Sequence, residues 1–291
     1  MSNTKSKKLK QFCDHPTSFE NNVYAYPVVS RRSHGISLGV NLNPDKVCNF
    51  DCIYCQVDRN TPAPIKKVDD ELLLKELQGL LIAYRSGELF EHPMFQDLPE
   101  KWRSLKSIAF AGDGEPTSYR RFPEIVQSII DMKQTLGVTE GALVVITNAT
   151  LFDREPVQRA LELIAEDGGE IWAKLDAGTE EYYHQVERTS VSFNKVLNNI
   201  LEAARVRPIV IQSMFMNIEL QPPTSAEIVA YCDRLNEMLS EGAQFNLVQI
   251  YTIARDPAES SVTPLSDQQV DELAQTVREN TGLTVESFYG A

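Results

Sequence analysis

From residue 36 onward, short apolar runs rich in β-branched residues alternate with longer segments whose apolar positions recur every three or four residues. The runs Ile36–Leu42, Ser107–Gly112, Ala142–Thr147, Glu170–Leu175, Ile209–Met214 and Phe245–Tyr251 predict strands. Between them, Phe122, Ile125, Val126, Ile129 and Ile130 form a helical stripe that Gly137 would close. Val157, Ala160, Leu161 and Ile164 form another, and Phe193, Val196, Leu197, Ile200 and Leu201 a third. From Ser266 the stripe Val270, Leu273, Ala274, Val277 predicts a last helix ending near Gly282, followed by a short β-like piece, Thr284–Phe288.

Such alternation implies parallel strands joined by right-handed helical crossovers, hence an α/β fold. Six units suit either a partial barrel or an open doubly wound sheet, and periodicity does not separate the two. No repeat, low-complexity stretch or linker divides the chain. The expected organisation is an N-terminal extension (1–35), a central body (36–262), and a C-terminal helix with a short strand packed on it (263–291).

A chain of 291 residues can bury a full core as one domain, and 42% hydrophobic with 24% charged residues is ordinary globular composition. No apolar run reaches the roughly 18 residues a spanning helix needs. The start, MSNTKSKKLKQF, is basic without a following apolar stretch, unlike a secretory signal, so a cytoplasmic address without membrane attachment is expected. The net charge of −13 is uneven: residues 1–67 carry ten Lys/Arg against five Asp/Glu, leaving 18 against 36 for the rest. An acidic body argues against nucleic acid binding along a broad surface but leaves room for a local basic patch. Lys5, Lys7, Lys8 and Lys10 read as a solvated tail.

Three of the five cysteines fall in Cys48-Asn49-Phe50-Asp51-Cys52-Ile53-Tyr54-Cys55, a C-x3-C-x2-C spacing directly after the first predicted strand. Thiolates are the soft ligands of iron–sulfur clusters, and close spacing lets one loop wrap a cluster. Ferredoxin-type clusters take four cysteines; three would leave one iron open for a small molecule. The competing reading is a structural zinc site, with Cys13, Cys232 or His34 as fourth ligand, although no second paired Cys unit exists. Cys232 lies on the stripe Ile228–Cys232–Leu235–Leu239 and reads as a core thiol. Cys13 has no assignment.

This motif, with Tyr54 before the last cysteine, resembles the signature of the radical S-adenosylmethionine (SAM) superfamily. The string SLGVNLNPDKVCNFDCIYCQ is most similar to the branch containing wyosine-forming tRNA enzymes and uncharacterised Fe–S oxidoreductase relatives, and the resemblance spans roughly residues 30–262. It implies a partial (βα)6 TIM-like barrel, a [4Fe–4S] cluster on Cys48, Cys52 and Cys55, and SAM as second cofactor. It also implies a low-potential electron donor of flavodoxin or ferredoxin type, reductive cleavage of SAM, and hydrogen abstraction from a substrate.

In that frame Gly114 and Glu115, after the second strand, would contact the amino group of SAM, with Gly112 in the same cofactor-binding loop, though glycines also mark ordinary strand-to-helix turns. Tyr54 would lie against the adenine. Asn148, Lys174, Asp176 and Gln212 would serve the ribose and carboxylate, with Ser213 and Gln249 in similar strand-end positions. Buried polar groups need partners, and each is equally readable as a satisfied strand-end group. Arg255 could pair with a carboxylate or lie on the surface. Branch resemblance and Arg31, Arg32, Arg59, Lys66 and Lys67 favour a tRNA substrate. The net charge and the lack of an appended RNA-binding domain favour a peptide or small molecule. The non-catalytic alternative is an iron–sulfur or zinc scaffold that binds a partner.

Overall fold

Eight strands lie in one sheet in the order β1 (Ala25–Ser30), β2 (Gly35–Val40), β3 (Leu105–Phe110), β4 (Ala142–Thr147), β5 (Glu170–Lys174), β6 (Ile209–Met214), β8 (Phe245–Tyr251) and β10 (Val285–Phe288). The structure is a computed structural model that describes residues 22–30, 33–255, 257 and 259–290. Cys13, Lys5, Lys7, Lys8, Lys10, Arg31 and Arg32 lie outside the described residues.

The six strands from β2 to β8 are mutually parallel, as is β10 on β8, whereas β1 runs antiparallel on β2. The connecting helices are α1 (Asp70–Ser86), α2 (Phe122–Leu136), α3 (Glu155–Glu166), α4 (Glu180–Glu187), α5 (Phe193–Val206), α6 (Ser225–Ser240) and α7 (Asp267–Thr281). A hairpin-like pair, β7 (Met216–Ile218) and β9 (Val262–Pro264), stands beside the main sheet. The sheet curls into a half-barrel, so the partial-barrel alternative is the observed one. Among the described residues no helix is long and apolar enough to cross a membrane.

Alternation along each strand sorts residues to two faces. Ile36, Leu38 and Val40 of β2, and Ile108 and Phe110 of β3, are fully buried in the core formed with the helices. Ser37, Gly39, Ser107 and Ala109 face the concave side instead. This sidedness makes the convex core hydrophobic and keeps the polar strand residues for the barrel interior.

The apolar pattern predicts no element before residue 35, yet β1 occupies 25–30. Its Pro27 has no N–H to donate, which an edge strand tolerates. What fixes β1 is remote in sequence: the Glu76 carboxylate on α1 accepts from the backbone N–H groups of Val23, Tyr24 and Ala25 at 2.7–3.0 Å. Gly39 is the counterpart on β2, because a Cβ there would collide with the Tyr26 ring.

Candidate active site

The cysteine loop leaves β2 at its C-terminal end, where sites in such barrels sit. Asn41 starts the turn, its side-chain oxygen accepting from the N–H groups of Asn43 (3.0 Å) and Asp113 (3.2 Å). Its amide donates to the Asp113 carboxylate at 2.8 Å. Lys46, with φ +62°, folds its ammonium back onto the carbonyls of Asp58 and Thr61.

The loop is then clamped against the end of α4. The last carbonyls of a helix lack intrahelical partners; here Val186 and Glu187 accept from Ile53 N (2.9 Å) and Asp51 N (3.0 Å). Arg188 adopts φ +45° to end the helix, and Thr189 Oγ1 donates to the Asn49 carbonyl.

The three thiols are partly buried. Cys52 Sγ donates to Glu187 Oε2 at 2.6 Å, Arg59 Nη1 donates to Cys55 Sγ at 3.1 Å, and Phe50 N donates to Cys48 Sγ at 3.5 Å. Burial pushes the Cys48 thiol up, and burial followed by the Glu187 charge pushes Cys52 well above the usual thiol range. A thiophilic metal must therefore displace protons here. Arg59, near both Cys48 and Cys55, supplies positive charge for the resulting thiolates.

The zinc alternative finds no fourth ligand among the described residues. Cys232 is 2% exposed within the core formed with α6. His34 stacks on Trp102 at the opposite end of β2, roughly 20 Å along a strand of six residues. No three His, Cys, Asp or Glu side chains among the described residues converge as one ion requires. Three thiols on one loop fit a cluster whose irons take one thiolate each, and no fourth thiol stands beside them among the described residues.

Glu115 is buried against this loop, with both carboxylate oxygens bonded by protein groups. Oε1 accepts from Thr117 N, Thr117 Oγ1 and Thr147 Oγ1, and Oε2 from Asn148 N at 2.8 Å. Burial outweighs these bonds and raises its pKa. The carboxylate thus joins the ends of β3 and β4. The two glycines also have protein-facing reasons to exist: a Cβ on Gly114 would strike the Val47 carbonyl and Asn43, and one on Gly112 would strike Asn41. They allow the loop after β3 to press on the cysteine loop. Asn148 completes this layer, donating from Nδ2 to Asn49 Oδ1 at 2.8 Å and accepting from Thr150.

Across the mouth, Lys174 Nζ sits 3.2 Å from Asp176 Oδ2, donates to Tyr251 OH at 2.9 Å, and lies over the Tyr54 ring. Tyr54 OH donates to Asp176 Oδ2 at 2.5 Å. Burial opposes the Lys174 charge, but Asp176, Tyr251 and Glu187 outweigh it and hold the ammonium protonated well above the usual lysine range. Gln212 Nε2 donates to Gln249 Oε1, extending the chain of polar side chains into the barrel. Ser213 does not belong here. It bonds the Leu175 carbonyl and Tyr231 of α6, tying sheet to helix. Arg255 is half-buried and donates to Gln56, the residue after Cys55, so it is no isolated surface group.

The sequence offered no local signal for Glu187, which closes an otherwise ordinary amphipathic helix, or for the asparagine pair Asn41 and Asn49. Their partners lie 72 or more residues away, or arise only from the loop packing.

A parallel half-barrel carrying a three-cysteine loop at the mouth end of its first parallel strand defines the class of cluster-dependent barrel proteins. The Radical SAM superfamily model matches residues 42–220, more than half the sequence, and the chain belongs to that superfamily. Its members use a [4Fe–4S] cluster and SAM. A Brachyspira hyodysenteriae protein named GTPase Obg is 29% identical over 186 residues, covering 62% of this chain and 23% of that protein. A Helicobacter pylori UPF0026 protein is 29% identical over 182 residues, covering 62% of this chain and 51% of its own. The chain thus spans about half, or less, of the length of these relatives. A solved radical SAM methyltransferase from Sphaerobacter thermophilus superposes with a TM-score of 0.59 at 13% identity, covering 91% of this chain and 69% of that one. That likeness concerns the fold.

Proposed function

We propose that the chain is a radical SAM enzyme that cleaves SAM reductively and uses the product radical to abstract hydrogen from an organic substrate. The carrying observation is the docking of the Cys48–Cys55 loop, with its three half-buried thiols, at the strand ends against the close of α4. Cys48, Cys52 and Cys55 would hold the cluster. The cluster would supply the electron for reductive cleavage of SAM, and the organic substrate would supply the hydrogen atom.

The remaining residues bind, orient and shield. Arg59 stabilises the thiolates at Cys55 and Cys48, and the α4 end fixes the loop. Gly112, Gly114, Glu115 and Asn148 set the loop that would meet the amino acid part of SAM. Glu115 also holds Asn148 and Thr117 in place. Tyr54, Lys174, Asp176 and Gln212 form the opposite wall, where the nucleoside would lie. A flavodoxin or ferredoxin type donor would deliver the electron.

The test is anaerobic reconstitution with iron and sulfide, reduction with SAM present, and assay for 5′-deoxyadenosine. Protein with the cluster that yields none would sink the reading. A tRNA substrate is the second reading, favoured by the exposed Lys66 and Lys67 on the segment leaving the cysteine loop. It requires tRNA affinity that falls steeply with salt and weakens when both lysines become alanine.

A further inference from the structure

Just after Cys55 the chain makes a turn whose construction sends one guanidinium back to the cysteine loop. The Asp58 carboxylate accepts from the backbone N–H groups of Asn60 and Thr61 and from Thr61 Oγ1, which closes the turn on itself. Lys46, shortly before Cys48, donates its ammonium to carbonyls on either side of Arg59, those of Asp58 (2.6 Å) and Thr61 (3.1 Å). Arg59 reaches the other way: Nε donates to the Lys46 carbonyl at 3.3 Å, and Nη1 to Cys55 Sγ at 3.1 Å. The two long side chains lock each other, and the guanidinium bridges the two ends of the cysteine loop.

The charge around the three sulfurs is uneven. Cys55 receives its N–H bond from a cation that does not deprotonate, and Arg59 lies close enough to favour a thiolate at Cys48 as well. Cys48 also takes the longer bond from Phe50 N. Cys52 meets the Glu187 carboxyl instead, and the cation on its side, Lys174, is shared with Asp176 at 3.2 Å. The acid paired with Arg59 is Asp51, 3.9 Å away with a side chain 65% exposed. Water therefore weakens its compensation of a guanidinium that is itself only 28% exposed.

Reduction adds an electron to a cluster whose negative charge spreads onto its sulfurs. Donors and positive charge at those sulfurs favour the reduced form and raise the potential. Partial burial strengthens the effect, since protein screens less than water. We infer that Arg59 sets the reduction potential of the cluster, holding it above what the same loop would give with a neutral residue at this position. The inference rests on Cys48, Cys52 and Cys55 as the cluster ligands and concerns the electron step that precedes any radical chemistry. A higher potential lets a weaker donor reduce the cluster.

Redox titration of the anaerobically reconstituted full chain, followed by the EPR signal of the reduced cluster, tests it. Arg59→Gln is expected to lower the ratio of reduced to oxidised cluster at a given solution potential about tenfold, equivalent to about 59 mV for one electron. Arg59→Lys, which keeps the charge without the rigid fork, falls between. The midpoint belongs to each cluster, so incomplete loading shrinks the signal without moving it. A purely structural arginine would change loading alone. If Arg59→Gln holds no cluster, a second readout uses the unaltered protein with arginine labelled in heavy nitrogen. Pulsed EPR of its reduced cluster should show coupling to an arginine nitrogen, and Arg59→Lys should remove that coupling. An unchanged midpoint in Arg59→Gln, or no arginine coupling, overturns the inference. Full iron retention in Cys55→Ala would overturn the ligand assignment and this inference with it. Formation of 5′-deoxyadenosine by the unaltered protein is scored separately. Its presence with an unshifted midpoint overturns only this inference, and a shifted midpoint without it overturns only the radical reading.

Discussion

The Cys52 thiol donates a hydrogen bond to Glu187 Oε2 at 2.6 Å, across 135 residues of sequence. The carboxylate is buried, and burial together with Asp176 raises its pKa well above the carboxylate range. It therefore positions Cys52 as a hydrogen-bonding group at the same helix end whose carbonyls hold Asp51 and Ile53. Glu187→Ala is expected to cost about 1–3 kcal/mol by leaving buried partners unmet. It should also lower iron retained after reconstitution and gel filtration, with Glu187→Gln intermediate. Wild-type iron retention in Glu187→Ala would show that the contact has no bearing on the cluster.

Replacing Cys48, Cys52 or Cys55 by Ala is expected to abolish the cluster's visible absorption and the roughly four irons of a reconstituted chain. Cys232→Ala should keep both, since that thiol sits in the helical core, and should cost on the order of 1 kcal/mol in thermal unfolding. Iron loss from Cys232→Ala with a normal melting curve would mean that the ligand set is wrong.

Gly114→Val separates a ligand-facing glycine from a loop-packing one. A glycine that only faced SAM would lose SAM affinity on this change while iron stayed normal. The structure places the new Cβ against the Val47 carbonyl, one residue before Cys48, so iron content and SAM affinity should fall together. Normal iron with weakened SAM binding would restore the simpler expectation.

Glu115 links stability to pH. Its folded-state pKa lies above the ordinary value of 4.5, so the fold holds the proton more tightly than the unfolded chain does. That contribution is complete below about pH 4.5 and is lost as pH climbs through the raised value. Glu115→Gln also sets an amide against Asn148 N–H, an expected cost of about 1–3 kcal/mol. The deficit relative to wild type should be largest at low pH and shrink as pH rises, read from urea midpoints of the cluster-free protein. A deficit that grows with pH would contradict it.

Strands β4, β6 and β8 occupy the intervals their apolar runs predict, because each is a buried parallel strand whose outward residues must be hydrophobic. The cysteine spacing was legible for the same kind of reason: one loop of eight residues carries its own chemistry. Lys174, Asp176, Gln212 and Gln249 were visible as polar residues in apolar runs, and alternation does turn Lys174, Gln212 and Gln249 inward while Ser213 faces α6.

The sequence by itself therefore determined the alternating α/β body, its parallel strands and the three-thiol loop, since each rests on local periodicity or local spacing. Only the tertiary structure decided what those residues touch. Strand β1 exists through a carboxylate on α1, and Glu115 serves Asn148 and Thr147 as much as any ligand. Glu187 reaches Cys52 through the end of a helix far along the chain. Contacts of that kind depend on which distant segments the fold brings together, and no local pattern encodes them.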